Sequence, residues 1–274
     1  MNIVLAHGYL GFARLLGVEY FNRVKAHIEA AFPSVKVLVT QVDPADGIDV
    51  RGSQLRGQIL DSLGVTGNAP TLNAGDKTHI IAHSMGGLDS RYILSPANPN
   101  NIAVQITSLT TISTPHRGSP IADLLWREAS GEVLSEIEKL TALGLHKSMS
   151  LLGIPLEGLQ NLTSDSTAQF NRKYVDNPNV RYFSVAGKGR NGFLPTCLAL
   201  LAPHLVIKHE VPGEENDGLV AVGSAAWGTM DRNLWPADHA DEIGHNLDKL
   251  PVGKPDHFDY LSAYDAIVGK LLPL

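Results

Sequence analysis

The chain has 274 residues, 43% of them hydrophobic, with 22 basic and 28 acidic side chains. That is enough apolar material for one sizeable core, at a length that single α/β domains commonly reach. The formal net charge of −6 offers no basic excess for a phosphate backbone, so no nucleic-acid partner is expected.

The chain opens with Met1 to Gly8, where no basic start precedes a short apolar run. The run is too short for the core of a signal peptide and reads as a buried strand, Ile3 to Ala6. The expectation is a cytoplasmic protein, or a secreted one whose leader has been removed. No stretch approaches the roughly 20 apolar residues that span a membrane. The pattern then predicts a helix from Val18 to Phe32, ended by Pro33, a strand from Val35 to Val42 and a helix from Gly52 to Leu63. A strand over Thr78 to His83 runs into a helix over Met85 to Leu94. Strands at Gln105–Ile112 and Val180–Ala186 and a closing helix at Phe258–Leu272 complete the series. Such alternation implies crossover connections and a mostly parallel sheet flanked by helices, here one α/β domain over residues 1–274.

The rhythm breaks between Ser119 and Gln169, where leucines crowd together between glycines such as Gly131, Gly144 and Gly153. Several short helices inserted between two strands are expected, over residues 119–169. They read equally as a fixed cap or as a mobile lid over an apolar site, and the chemistry below favours the lid. Cys197 is the single cysteine, so no internal disulfide can form. Its apolar neighbours, Leu198 to Leu201, suggest a buried small hydrophobe rather than a reactive thiol.

In Ile80-Ile81-Ala82-His83-Ser84-Met85-Gly86-Gly87-Leu88 a buried strand meets a serine and then small residues that open a helix. This is a nucleophile elbow: the serine sits on a sharp turn, and the positions two before and two after it must be small. Gly86 meets that need, and Ala82 stands where glycine is usual. The N–H of Met85 would lie at a helix N-terminus, where an oxyanion would form. A second glycine loop, His7-Gly8-Tyr9-Leu10-Gly11, follows the first strand, and the N–H of Tyr9 is the candidate second oxyanion donor. Gly8 and Gly11 allow close approach of backbone to ester. A serine nucleophile needs a base and an orienting carboxylate, expected in the order serine, acid, histidine. Asp217, in Glu215-Asn216-Asp217-Gly218, suits a loop at a strand end, although Asp-Gly is also a common turn. His239, His245 and His257 follow it, and spacing alone leaves His239 only modestly ahead. His7 and His83 flank the site as supporting side chains, and His116 ends a strand nearby.

Spread over nearly the whole length, these segments resemble the bacterial true lipases typified by the Burkholderia and Pseudomonas enzymes, within the α/β-hydrolase superfamily. The resemblance rests on His7-Gly8-Tyr9-Leu10-Gly11, on Arg51-Gly52-Ser53-Gln54-Leu55, on the stretch from Ala82 to Tyr92 (AHSMGGLDSRY) and on Thr114 to Ser119 (TPHRGS). Asn216 to Val220 (NDGLV) and His239 to Ile243 (HADEI) complete it. The last motif selects His239 as the base. The resemblance implies a lipase or carboxylic ester hydrolase that acts on acylglycerols or similar esters, at a lipid–water interface, under a lid. It requires no organic or redox cofactor but implies a structural Ca²⁺ near the histidine loop, with Asp241 as one ligand. No aspartate lies between Asp176 and Asp217, where the second ligand is expected, which leaves Glu210, Glu214 or backbone carbonyls as substitutes. With Cys197 as the single cysteine, the expectation is a chain without the family's disulfide, and one without its secretion leader.

The expected mechanism is attack by Ser84 with His239 as base, Asp217 as orienting acid, and Tyr9 and Met85 as oxyanion donors. Rival readings are a short-chain carboxylesterase with a fixed cap, a polyester depolymerase with the same triad, and a lipid-binding protein on a hydrolase fold that has lost catalysis. The presence of every triad member and both oxyanion loops argues against the last.

Overall fold

In the computed structural model, residues 1–9, 14–15, 18–67, 70–152, 158–189, 200–245 and 258–274 are described. Six strands form one sheet in the order β4-β1-β5-β6-β7-β8. These are β1 (Asn2–Ala6), β4 (Lys36–Val39), β5 (Thr78–His83), β6 (Ser108–Ile112), β7 (Arg181–Val185) and β8 (Thr229–Met230). Every neighbouring pair runs parallel. The strands β1, β5 and β6 are buried along their whole length. That is why they read as unbroken apolar or β-branched runs rather than as alternating ones: a parallel sheet has both faces covered.

The side chains sort by the two-residue period of a strand. Ile3, Leu5 and Ile81 face a core built with Phe21, with Val24 and Ile28 of α1 (Val24–Ala31), and with Tyr264 and Val268 of α9 (Tyr260–Leu271). Val4, Ala6 and Ile80 face the other way, toward Leu55 and Ile59 of α2 (Ile48–Ser62) and Ile93 of α3 (Gly86–Leu94). A third apolar cluster gathers Met85 and Leu88 with residues of the segment between β6 and β7. That segment carries α4 (Pro120–Ala129), α5 (Glu136–Leu152), a 3₁₀ turn at Leu159–Leu162 and α6 (Ser164–Lys173). Proline at the first helical position starts α4, and the Thr163 hydroxyl caps α6 by accepting from the Ser166 N–H at 3.2 Å.

The structure corrects several boundaries. Residues from Val18 do not begin a helix. Val18–Glu19 form β3, paired antiparallel with β2 (Arg14–Leu15), and α1 starts only at Val24. Arg23 lies at φ 58°, a left-handed conformation through which a right-handed helix cannot propagate. The helix predicted from Gly52 starts at Ile48, and the strand predicted from Gln105 starts at Ser108 after a 3₁₀ turn at Ala103–Gln105. Helix α7 (Leu201–Glu210), the short α8 (Val222–Ala225) and the two-residue β8 were not foreseen. Among the described residues no helix is long and apolar enough to cross a membrane. Leu10, Gly11, Cys197 and His257 lie outside the described residues.

Candidate active site

The parallel sheet brings the ends of β1, β5 and β6 to one edge, and Ser84 leaves β5 there. It sits at φ 55°, in the left-handed region that a side chain with a Cβ adopts only under constraint. The constraint is visible. The Ser84 N–H donates to Ile112 O at 2.9 Å, and Ser84 O accepts from the Thr114 hydroxyl at 2.7 Å and from the Gly87 N–H at 3.1 Å. Glycine is required on both sides of the turn. A Cβ on Gly86 would sit 2.5 Å from Ala6 O, and one on Gly8 would sit 2.5 Å from the Ser84 Cβ. Ala82 is fully buried in the core, its methyl accommodated. Met85 stands at the N-cap of α3, so its N–H belongs to the positive end of that helix.

Ser84 and His239 line one cleft of about 280 Å³, together with Ile121, Leu159, Leu162 and Leu219. Tyr9, Tyr20 and His245 line it as well. Asp217 is completely buried. Its Oδ1 accepts from the N–H groups of Leu219 (2.9 Å) and Val220 (2.7 Å), in a turn that Gly218 permits at φ 95°. Its Oδ2 lies 2.7 Å from His239 Nδ1, and the His239 N–H donates to Asp217 O at 3.0 Å. Both ends of the carboxylate are therefore held, and His239 is held at ring and backbone. His245 instead places Nε2 2.8 Å from Tyr20 O. Asp217 and His239 are 22 residues apart, and the fold joins them by a hydrogen bond.

A second histidine–carboxylate pair packs beside the first. His83 and His239 have ring centroids 4.4 Å apart. His83 Nε2 lies 3.0 Å from Glu242 Oε2, and the Ser113 hydroxyl donates to Glu242 Oε1 at 2.6 Å. His83 Nδ1 lies 2.7 Å from Tyr20 Oη, which also accepts the Gly8 N–H at 3.1 Å. Burial pushes Glu242 well above the ordinary carboxyl range, and the Asp217 charge adds to that; burial pushes His83 well below the ordinary histidine range. A neutral His83 leaves the positive charge that His239 would acquire without a like charge pressed against it. The sequence pointed to His83 in this supporting place. It did not point to Tyr20, Ser113 or Glu242 as partners of that ring.

Arg51 closes the rear of the glycine loop. Fully buried, it pairs with Asp89 Oδ2 at 2.7 Å and donates to His7 O at 3.0 Å and Gly8 O at 3.2 Å. His116 does not line the cleft. It is buried, stacks on Trp227 with centroids 5.1 Å apart, and places Nε2 3.0 Å from Thr111 Oγ1.

The expected Ca²⁺ ligand Asp241 is buried, and its Oδ2 accepts from the Asp238 N–H at 3.3 Å. The substitute ligands go elsewhere: Glu214 accepts the Gly223 N–H at 2.9 Å, and Glu210 pairs with His209 at 2.9 Å. Among the described residues, the group of three side chains with metal-ligating atoms in reach of one another is His83, His239 and Glu242, which excludes Asp241. Two imidazoles and one carboxylate are not the all-oxygen set that calcium prefers. That group is therefore not a calcium site, and the carboxylates buried with Asp241 are those of Asp238 and Glu242.

A parallel sheet that delivers a strained serine to the mouth of an apolar cleft, beside a histidine oriented by a buried aspartate, is the arrangement of the α/β-hydrolases. No family model matches the chain. It is 31% identical over 264 residues to a triacylglycerol lipase of Vibrio cholerae, covering 88% of this chain and 78% of that one. It is 31% identical over 273 residues to a triacylglycerol lipase of Pseudomonas fragi, covering 89% and 87%. Triacylglycerol lipase 2 of Saccharomyces cerevisiae is 33% identical over 236 residues, 85% of this chain but only 64% of the yeast protein. The crystal structure of Staphylococcus hyicus lipase superposes with a TM-score of 0.68 at 19% identity, over 98% of this chain and 95% of that one, and so shares the fold. The chain belongs to the triacylglycerol lipase family and is an ester hydrolase.

Proposed function

We propose that the protein is a lipase that cleaves acylglycerols or similar lipid esters through Ser84, His239 and Asp217. The observation that carries this reading is the 2.7 Å contact between His239 Nδ1 and Asp217 at the wall of the apolar cleft that also holds Ser84. With its Nδ1–H given to Asp217, His239 keeps Nε2 as the basic nitrogen. Nε2 takes the proton of Ser84 Oγ as that oxygen bonds to the ester carbonyl carbon. The carbonyl π pair moves onto oxygen, where the N–H groups of Tyr9 and Met85 receive it. Collapse of this intermediate expels the alcohol, which takes its proton from His239, and leaves an acyl group on Ser84. Water, deprotonated by the same nitrogen, then releases the fatty acid and restores the serine. No step needs a metal or an organic cofactor.

The lining favours lipid substrates, because Ile121, Leu159, Leu162 and Leu219 present hydrocarbon where an acyl chain would lie. Residues 119–169 serve in this reading as the lid. The α4–α5 region exposes Trp126, Val133, Ile137, Leu140 and Leu143, an apolar surface that an oil–water boundary would cover. The test is a rate series on p-nitrophenyl esters from butyrate to palmitate, with and without an emulsion, in the wild type and in Ser84→Ala. Sustained rates on long chains that rise at the interface, together with loss of turnover in the variant, are expected. A steep fall beyond butyrate would make the protein a short-chain esterase, and retained turnover in Ser84→Ala would remove the assignment of the nucleophile.

A further inference from the structure

The loop that carries the Tyr9 N–H is gripped by a histidine that the mechanism does not use. His7 is 1% exposed. The Val42 N–H donates to its Nε2 at 3.0 Å, and its Nδ1 lies 2.8 Å from Gly8 O. A backbone N–H can only donate and a carbonyl oxygen can only accept. The ring must therefore carry its proton on Nδ1 and keep Nε2 bare: both partners are satisfied by this one neutral tautomer and by no other form. Burial holds His7 down to about 4, so it stays neutral at ordinary pH.

The consequence follows from the planarity of the peptide bond. Gly8 C=O and Tyr9 N–H belong to the same rigid plane and point in opposite directions across a trans bond. Whatever fixes the direction of Gly8 O fixes that of the Tyr9 N–H. Gly8 O receives the His7 Nδ1–H at 2.8 Å and Arg51 Nη2 at 3.2 Å, and neither of these side chains lines the cleft that Tyr9 lines. Glycine at position 8 leaves this plane little intrinsic preference, so outside contacts must supply it.

We infer that His7, locked as its Nδ1–H tautomer between Val42 and Gly8, is a positioning residue that aims the Tyr9 N–H at the developing oxyanion. It touches neither substrate nor reacting atoms and acts through the peptide it holds. The inference rests on the reading of Tyr9 as an oxyanion donor and of Ser84 as the nucleophile.

Two substitutions separate the two ends of the ring. In His7→Asn the side-chain amide N–H can take the place of Nδ1–H and still donate to Gly8 O. In His7→Gln the carbonyl oxygen can take the place of Nε2 and still accept from Val42, with no donor from residue 7 reaching Gly8 O and the longer Arg51 contact left to hold it. Steady-state hydrolysis of p-nitrophenyl butyrate is measured for both and for the wild type, with thermal unfolding to confirm the fold. Loss of one oxyanion donor lowers kcat by roughly 100-fold or more. His7→Gln is expected to lose kcat by about that factor with KM within threefold, whereas His7→Asn keeps kcat within roughly tenfold. Equal losses in the two variants, or kcat within threefold of wild type in His7→Gln, would overturn the inference. If either variant fails to fold, ¹⁵N chemical shifts of the wild-type His7 ring decide: a protonated Nδ1 with bare Nε2 supports the clamp and the opposite tautomer refutes it. A wild type without esterase activity would instead sink the proposed function, a result distinguishable from both.

Discussion

At Ser84 the chain spends backbone strain to put one hydroxyl at the mouth of the cleft, and small neighbours make that arrangement feasible. A methyl at Gly86 would press on Ala6 O and His7 O, backbone atoms at 2.5 and 2.6 Å that cannot swing aside. Gly86→Ala should therefore destabilise the fold by about 1–3 kcal/mol and lower activity further by tilting the oxyanion loop, measured by chemical denaturation and ester turnover. At Asp217 the carboxylate is saturated by two backbone N–H groups and one imidazole. Asp217→Asn would keep the shape but offer His239 a partner that no longer selects the tautomer, so kcat should fall by about 10⁴ with the unfolding midpoint little changed. A loss under tenfold would mean that another acid orients His239. Ser84 and Asp217 could be read as residues because each stands in a short local motif whose geometry depends on its immediate neighbours. His239 stood only modestly ahead of His245 and His257 until the family likeness selected it. Tyr20 and Ser113 left no local signal: their contacts bridge 63 residues to His83 and 129 residues to Glu242.

At the scale of elements, β5 emerged with the residues expected of it, because an uninterrupted apolar run ending at a serine has few other solutions. Helix α1 did not, because its start depends on one left-handed residue, Arg23, that no periodicity reveals. Strand β8 is two residues long and joins the sheet only through β7, too short for any pattern to show. The helices between β6 and β7 were anticipated as a group over residues 119–169, though their individual limits were not. Their exposed apolar side chains suggest an interfacial role. Ile137→Ser, Leu140→Ser and Leu143→Ser combined should lower the rate on emulsified long-chain triacylglycerol at least severalfold while leaving a soluble acetate ester unaffected. Equal effects on both substrates would refute that role. In the turn Asp241–Ile243, Asp241 Oδ2 accepts the Asp238 N–H at 3.3 Å. Dialysis against a chelator should leave the unfolding midpoint where it was, and a fall of several degrees would reveal a metal.

The whole molecule buries several histidines in neutral form. Burial takes His7 down to about 4 and moves His83 and His116 well below their ordinary range. The unfolded chain binds protons on these groups below pH 6.5 while the folded one does not, so their contribution is complete above that pH and is lost as pH falls toward 4. For His7 the difference is on the order of 3 kcal/mol. Burial acts oppositely on Asp89, raised to about 6 despite Arg51, and on Glu242; both gain protons first in the folded state and offset part of the loss. With four such histidines, His79 also being held down to about 4 by burial, against two acids, denaturation midpoints should fall steadily between pH 6.5 and 4. A flat profile would show that these rings are protonated in the native state.

The proposed function places the chemistry on one serine among many, Ser84. A fluorophosphonate probe phosphonylates a serine only where a base and an oxyanion hole activate it. Intact-mass analysis of the wild type should show a single adduct, peptide mapping should place it on Ser84, and Ser84→Ala should remain unmodified while unfolding as the wild type does. An adduct of equal extent in the variant, or a wild type that hydrolyses esters yet resists the probe, would rule out Ser84 as the nucleophile.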